Sequence, residues 1–436
     1  MFSDVLVRPR PHFIHTLNFT PAWCLAVLLG VVMPVLSAIL YPTYMHKMPS
    51  PVHEWTRLQE IPFVLSEVAI IFWALRRGME LRQFTSKLPR DCLIALGAFI
   101  VGLWGSTLLV SFVPMTSMVI SMSFIIHLMF GCAVYHLTGG AKQQVIDQLA
   151  AGLGLGLAVL ALVTAWRFAL PPPASSVMEG KIEWHAAVPG FISVRHFGSW
   201  TGAITAIFAA IILRRRDDAH FSWHDLAYLL AAGLTIWSGT RAAVLAIALA
   251  SAFVVIGSGK IPSLRVIGRL SILTGIAASL AFLLIPYGDA NFYLFAPEDS
   301  LRDASELGGG RWQLWVATFS KWLESPWFGW GSGSTFWEVR IGWPHTQPHN
   351  FVLQFLLSWG LVGACSAIWL LGRTVVEAHR RTLAHPELWP LLAGLYALLM
   401  MACVEGMLHY PRFIMLIAAL LAIIFRLGSP DRTAVS

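Results

Sequence analysis

The chain has 436 residues, 57% of them hydrophobic and 12% charged, with a formal charge of +7. A water-soluble globule carries roughly 25% charged residues, so this chain has too little polar surface to cover itself in water. Its basic residues lie in short connections between apolar runs, not in patches interleaved with exposed aromatics, so no nucleic-acid partner is expected.

In chain order, Arg8 and Arg10 precede an apolar run that ends at Leu40. The run is long and no small-x-small cleavage site follows it, so it reads as an uncleaved first span that also serves as export signal. Apolar runs then recur. The expected spans are 20–40, 60–75, 92–111, 114–136, 147–170, 191–213, 223–238, 240–258, 266–286, 349–371, 388–408 and 411–427. The fold class is therefore an all-α polytopic membrane protein of about 12 transmembrane helices, a single integral membrane domain over 1–436. The runs 223–238 and 240–258 are short and meet at Gly239 and Thr240. They are expected to tilt or to meet inside the protein. Cys24, Cys92, Cys132, Cys365 and Cys403 sit in or beside apolar runs and read as apolar thiols, with no disulfide and no metal role.

With the N-terminus inside, most of the 30 Lys and Arg residues face the cytoplasm, including Arg76, Arg77, Arg214, Arg215, Lys260, Arg373 and Arg381. Both termini are then cytoplasmic. The outer side has two longer connections, 171–190, opened by Pro171, Pro172 and Pro173, and 287–348. A loop as long as the second is usually functional. Within it, "GGGRWQLWVATFSKWLES" reads as an amphipathic helix starting after Gly308 to Gly310. Trp312, Trp315, Phe319 and Trp322 recur every three or four residues. That helix is expected to lie on the membrane surface or to roof a cavity.

Four cations gather on the outer side from separate parts of the chain: Arg195 in "FISVRHFGSW", Arg241 in "WSGTRAAVLAI", Arg311 at the head of the loop helix, and His349 in "PHNFVLQFLLSWGLVG". A cation within a span costs about 2.5–3.5 kcal/mol by insertion scales, so something must offset it. Snorkelling would do so, as would pairing with Glu183, Asp289, Glu306 or Glu338. The alternative is an anionic ligand, and arginine suits a planar, bidentate partner such as a diphosphate. His349 reads either as a helix-end imidazole beside the capping residue Asn350 or as a general base, neutral enough near pH 7 to accept a proton. Glu405 is a candidate to orient it. Glu67, inside the second span, reads as a structural hydrogen-bonding group. "SPWFGWGSGSTF" lacks the ending of a nucleotide loop and reads as a turn, or as backbone that approaches a phosphate. His345 and His349 are four apart, but Pro348 intervenes and no Glu follows either, so no metal site is expected. The outer loops also lack an Asp-x-Asp pair.

Together these residues resemble the O-antigen ligase family, part of a superfamily with O-antigen polymerases and protein O-oligosaccharyltransferases. The family motif is His, then Asn, Ser or Gln, nine residues, Gly, two residues, then Gly, Thr or Tyr. His349, Asn350, Gly360 and Gly363 meet every position. "SGTRAA" is similar to a Ser-x-x-Arg segment of the superfamily. Arg311, Trp315, Pro326, Gly329 and Gly331 are similar to its Arg-x3-Trp and Pro-x2-Gly-x-Gly segment. Arg195 is the weakest correspondence.

The resemblance implies a glycosyltransferase of the Gram-negative inner membrane with a periplasmic active site. Its donor would be O-antigen on undecaprenyl diphosphate, its acceptor lipid A–core, and its chemistry inverting and metal-independent, with no cofactor. His349 would be the base, and Arg195, Arg241 and Arg311 would hold the diphosphate. O-antigen polymerase and protein O-oligosaccharyltransferase activities use the same kind of donor. A lipid-linked glycan transporter would instead need polar residues through the midplane and an internal repeat, and the sequence shows neither.

Overall fold

The computed structural model describes residues 20–40, 60–86, 88–170, 177–178, 181–182, 188–191, 193–215, 220–284, 311–342 and 347–429. Arg8, Arg10, Pro171–Pro173, Glu183, Asp289, Glu306, Gly308–Gly310 and His345 lie outside the described residues. All twelve apolar segments are helical. The first comprises α1 (Pro21–Val27) and α2 (Met33–Leu40), joined by a π-helical stretch, Leu28–Val32. There follow α3 (Ile61–Arg76), the short α4 (Leu81–Thr85), α5 (Arg90–Gly105) with a π-helical extension Ser106–Val110, α6 (Pro114–Leu137) and α7 (Lys142–Ala169). A two-residue antiparallel pairing, Val177–Met178 with Lys181–Ile182, interrupts the otherwise helical architecture. Beyond it lie α8 (Val194–Leu213), α9 (Trp223–Trp237), α10 (Arg241–Ser258), α11 (Leu264–Leu283), the loop helix α12 (Arg311–Leu323), α13 (Phe351–Ala384), α14 (Trp389–Ala402) and α15 (Pro411–Leu427).

Eight of these segments are long and apolar enough to cross a bilayer. α3, α9, α14 and α15 have 16, 15, 14 and 17 residues. That is short of the ~20 residues that span ~30 Å of hydrocarbon at 1.5 Å per residue, so they reach only part of the way unless the protein is thinner there.

The apolar segments alternate between two faces, and contacts between their ends fix the direction of each. On one face, Thr20 donates to Gln148, Lys142 lies 2.9 Å from His385, Arg373 pairs with Asp91, and Arg381 donates to the Phe425 carbonyl. On the other, Glu60 pairs with Arg412, Trp237 donates to the Leu284 carbonyl, and Gly331 packs on Ser111 and Ser117. α8 is the central helix. It packs against α9, α10 and α14, and its small residues Ala203, Ala206, Ala209 and Ala210 are buried. Small residues let helix backbones approach where lipid supplies no hydrophobic drive, and Gly102 against Gly363 joins α5 to α13 in that way. Glu67 and His127 form a pair at 2.6 Å between α3 and α6, both buried. This is the structural role expected of Glu67, with a partner one helix away.

A second, smaller core sits above the bundle. Leu314 of α12 packs with Phe336, Val339, Ile341 and Leu357. The aromatic stripe of α12 is not one packed face, contrary to the simple periodic expectation. Trp322 is buried, Trp315 is half-buried, and Trp312 and Phe319 point outward. Leu314 and Thr318 take the inward positions because the helix packs on the loop that follows it. The outward aromatics suit a helix at a lipid–water boundary.

Candidate functional site

His349 stands just before a helix, beside its capping residue, as the sequence suggested. α13 begins at Phe351 and runs to Ala384, and Asn350 is its N-cap, with the side-chain Oδ1 accepting from the Leu353 N–H at 3.1 Å. The chain reaches the cap by turning at His349, whose φ is +51°. A non-glycine residue in this left-handed region costs on the order of 1–3 kcal/mol and persists only where its surroundings hold it. Here Trp315 Nε1–H donates to the Pro348 carbonyl at 2.9 Å on one side, and Asn350 is tied down on the other. The Arg-x3-Trp spacing of α12 thereby acquires a reason. Arg311 and Trp315 are one helical turn apart on the same face, and both reach into the His349 turn region.

The group they surround is Glu405, in the turn after α14. The run 388–408 is helical only to Ala402, so Glu405 lies in a turn and not in a span. Its side chain is 4% exposed. Arg311 Nη2 donates to its Oε1 at 2.8 Å, and His349 Nδ1 lies 3.6 Å from its Oε2. Burial alone would raise its pKa. The close approach and charge of His349, with the charges of Arg195 and Arg311, outweigh that and hold the carboxyl down at about 2. Glu405 is therefore an anion throughout the physiological range, with His349 Nδ1 facing it.

The Gly-rich segment 325–336 forms turns, as the sequence suggested, and they are threaded against α13. At Gly360, φ 59° and ψ −164°, α13 is broken. In a continuous helix the N–H groups of Leu361 and Val362 would bond the Leu357 and Ser358 carbonyls. Instead they donate to the Pro326 and Trp327 carbonyls at 2.7 and 3.2 Å, and the freed carbonyls accept from Trp330 and Gly331 at 2.8 and 3.1 Å. A Cβ at Gly360 would collide with the Trp327–Phe328 peptide. The two motif glycines thus have separate packing roles: Gly360 admits the loop, and Gly363 seats the helix on Gly102. The first turns of α13, with Asn350 at their head, form a short segment clamped by α12 and this loop.

Arg195 opens α8 after the capping Ser193. It acts on Glu405 through its charge, so three of the four cations expected at the site share one carboxylate. Arg241 opens α10, and the preceding turn, Ser238 to Thr240, packs on Gly198, three residues beyond Arg195. Arg241 therefore stands on the same face, but no described contact ties it to Glu405. Beside the site, Arg412 Nε donates to Glu60 Oε1 at 2.7 Å, both residues buried, with Phe63 and Phe191 against the guanidinium. Next to that pair, His196 packs edge-on against Tyr410. Sequence reasoning missed the Glu60–Arg412 pair, since its partners are 352 residues apart. The available signal was an arginine at the edge of an apolar run. Among the described residues, no group of three or more His, Cys, Asp or Glu side chains is placed to hold a metal ion.

Residues 226–368 match the O-antigen ligase family model. The match covers about a third of the chain. The matched stretch runs from α9 into α13 and takes in Arg241, Arg311, His349, Gly360 and Gly363, while Arg195 and Glu405 lie outside it. A search of curated proteins finds no match to the chain. The O-antigen ligase match supports a ligase- or polymerase-type function in a bacterial membrane.

Proposed function

We propose that the protein transfers O-antigen polysaccharide from undecaprenyl diphosphate to lipid A–core on the periplasmic face of the Gram-negative inner membrane. The observation that carries this reading is Glu405 held between His349 and Arg311. The twelve apolar segments alternate in direction through the membrane, the four short ones spanning only part of it, so both termini are cytoplasmic and the site face is periplasmic. The excess of Arg and Lys on the opposite face supports that orientation.

The Glu405 carboxylate, 3.6 Å from Nδ1, orients the imidazole electrostatically, and His349 takes the proton of the acceptor sugar hydroxyl. The hydroxyl oxygen forms the new bond to the anomeric carbon of the donor. The bond from that carbon to the diphosphate breaks, and undecaprenyl diphosphate leaves with the electron pair. One displacement inverts the anomeric configuration. Arg195, Arg241 and the donors of Arg311 not used by Glu405 hold the diphosphate and neutralise its growing charge. A guanidinium has five N–H groups, so one bond to Glu405 leaves Arg311 others to offer. A diphosphate needs no protonation to leave, so the reaction needs neither a general acid nor a metal ion. Activity unchanged by EDTA is the expected result, and loss restored by magnesium would overturn metal independence.

The test is a lipopolysaccharide gel from cells lacking the protein, with the undecaprenyl-linked pool assayed alongside. Bare lipid A–core with full-length polymer stranded on the carrier is the expected outcome. Lipid A–core bearing a single repeat unit would assign the same site to polymerisation.

A further inference from the structure

Asn350 makes two bonds with its one side chain. Oδ1 accepts from Leu353 N–H and caps α13, while Nδ2 donates to the Cys403 carbonyl at 3.0 Å. The last carbonyls of a helix have no partner within it, and the Cys403 carbonyl sits at the end of α14. One side chain therefore joins the start of the His349 helix to the end of the helix that delivers Glu405. His349 is one residue before the bridge on one strand of chain and Glu405 two residues after it on the other.

The rest of this junction is short-range. The Glu405 N–H donates to the Met401 carbonyl at 2.8 Å and the Met407 N–H to the Glu405 carbonyl at 2.9 Å, so the turn is internally closed. Its described ties to the chain before α13 include the Arg311–Glu405 bond, the Asn350 bridge, a longer contact of 3.4 Å from Gln347 Nε2 to the Tyr410 hydroxyl, and the His349–Glu405 pair itself. A cap needs only an acceptor, which Ser or Asp supplies equally well. A bridge also needs a donor on the same short side chain: Asn carries donor and acceptor on separate atoms, Asp has no donor, and Ser has a single oxygen for both.

We propose that Asn350 is a positioning residue that sets the distance between His349 and Glu405, and that it acts on transfer through that pair alone. The proposal rests on His349 being the base. It predicts a loss in turnover without a loss in donor binding, because Asn350 reaches neither Arg195 nor Arg311 by any described contact. A displacement of about 1 Å at a reacting group can cost roughly 100-fold in rate.

The experiment compares Asn350→Asp and Asn350→Ser in purified full-length protein. Both keep a capping acceptor, and neither carries the amide N–H that donates to the Cys403 carbonyl. The readouts are transfer rate, donor affinity and thermal melting, with Glu405→Gln and the double variants measured in parallel. The expected result is a turnover lowered roughly 10- to 100-fold at unchanged donor affinity. Adding Glu405→Gln should then cost little more, since both changes disable one unit. If Asn350→Asp fails to fold, Asn350→Ser carries the same comparison. Wild-type turnover in a folded variant would overturn the proposal, as would effects of Asn350 and Glu405 that multiply independently. Failure of the base assignment reads out separately, as wild-type transfer by His349→Ala.

Discussion

On the face opposite the site, Arg373 lies against Asp91, Arg381 against Glu377 and Lys142 against Glu387, while Arg215 and Arg269 share Asp225. On the site face, Arg195, Arg311 and His349 all draw on Glu405. The first pattern is what charges at the ends of membrane helices need for stability: carboxylates are near each cation, and most pairs touch water. Among the described residues, the second gathers three cations around one buried anion, with the N-terminus of α13 adding its partial positive charge. Such a cluster suits an anionic substrate.

Substitutions on the two faces should therefore behave differently. His349→Ala is expected to abolish transfer with melting and donor binding intact. Arg311→Ala removes both a grip on the donor and a partner of Glu405, so donor affinity and turnover should fall together. Unchanged affinity and rate would take Arg311 out of the site. Arg412→Ala leaves Glu60 buried without its partner, and loss of one member of a buried pair costs about 3–5 kcal/mol, read as a lower melting temperature. Arg373→Ala breaks a pair that is 40% and 41% exposed. It should cost at most about 1 kcal/mol and leave transfer at the wild-type rate. A large loss of transfer in Arg373→Ala would erase the distinction between the faces.

The pH dependence sharpens the same contrast. The Glu405 carboxyl titrates at about 2, below its ordinary 4.5. A depressed carboxylate contributes stability that is present in full above the ordinary value and is lost as pH falls toward the folded value. The melting difference between wild type and Glu405→Gln should thus be constant above about pH 5 and close between pH 4.5 and 2. A difference that persists unchanged to pH 2 would mean that the carboxylate is not held by these cations.

Much of this arrangement was legible in the sequence because it rests on local patterns. The apolar runs mark the helices, and His349, Arg311 and Arg195 stand out as cations at the edges of apolar chain. Trp315 was visible only as a spacing. Its bond to the Pro348 carbonyl depends on how α12 lies over the loop, which no local pattern encodes. The break at Gly360 was hidden for the same reason, since a glycine in an apolar run reads as ordinary helix packing until a second segment is found threaded against it. The join between Asn350 and Cys403 spans 53 residues, and nothing in either neighbourhood announces it. Distances set by tertiary packing are what periodicity leaves out, and the candidate base is positioned by several of them.

The central claim is that His349 carries the proton in a glycosyl transfer from a diphosphate lipid. Its most direct test is a reconstituted assay with purified protein in lipid nanodiscs, undecaprenyl diphosphate-linked glycan as donor and lipid A–core as acceptor. Donor binding is measured on the same samples. Wild-type protein that ligates, beside a His349→Ala variant that binds donor with equal affinity and forms no product, is the result predicted here. Product formed by His349→Ala at the wild-type rate would contradict it.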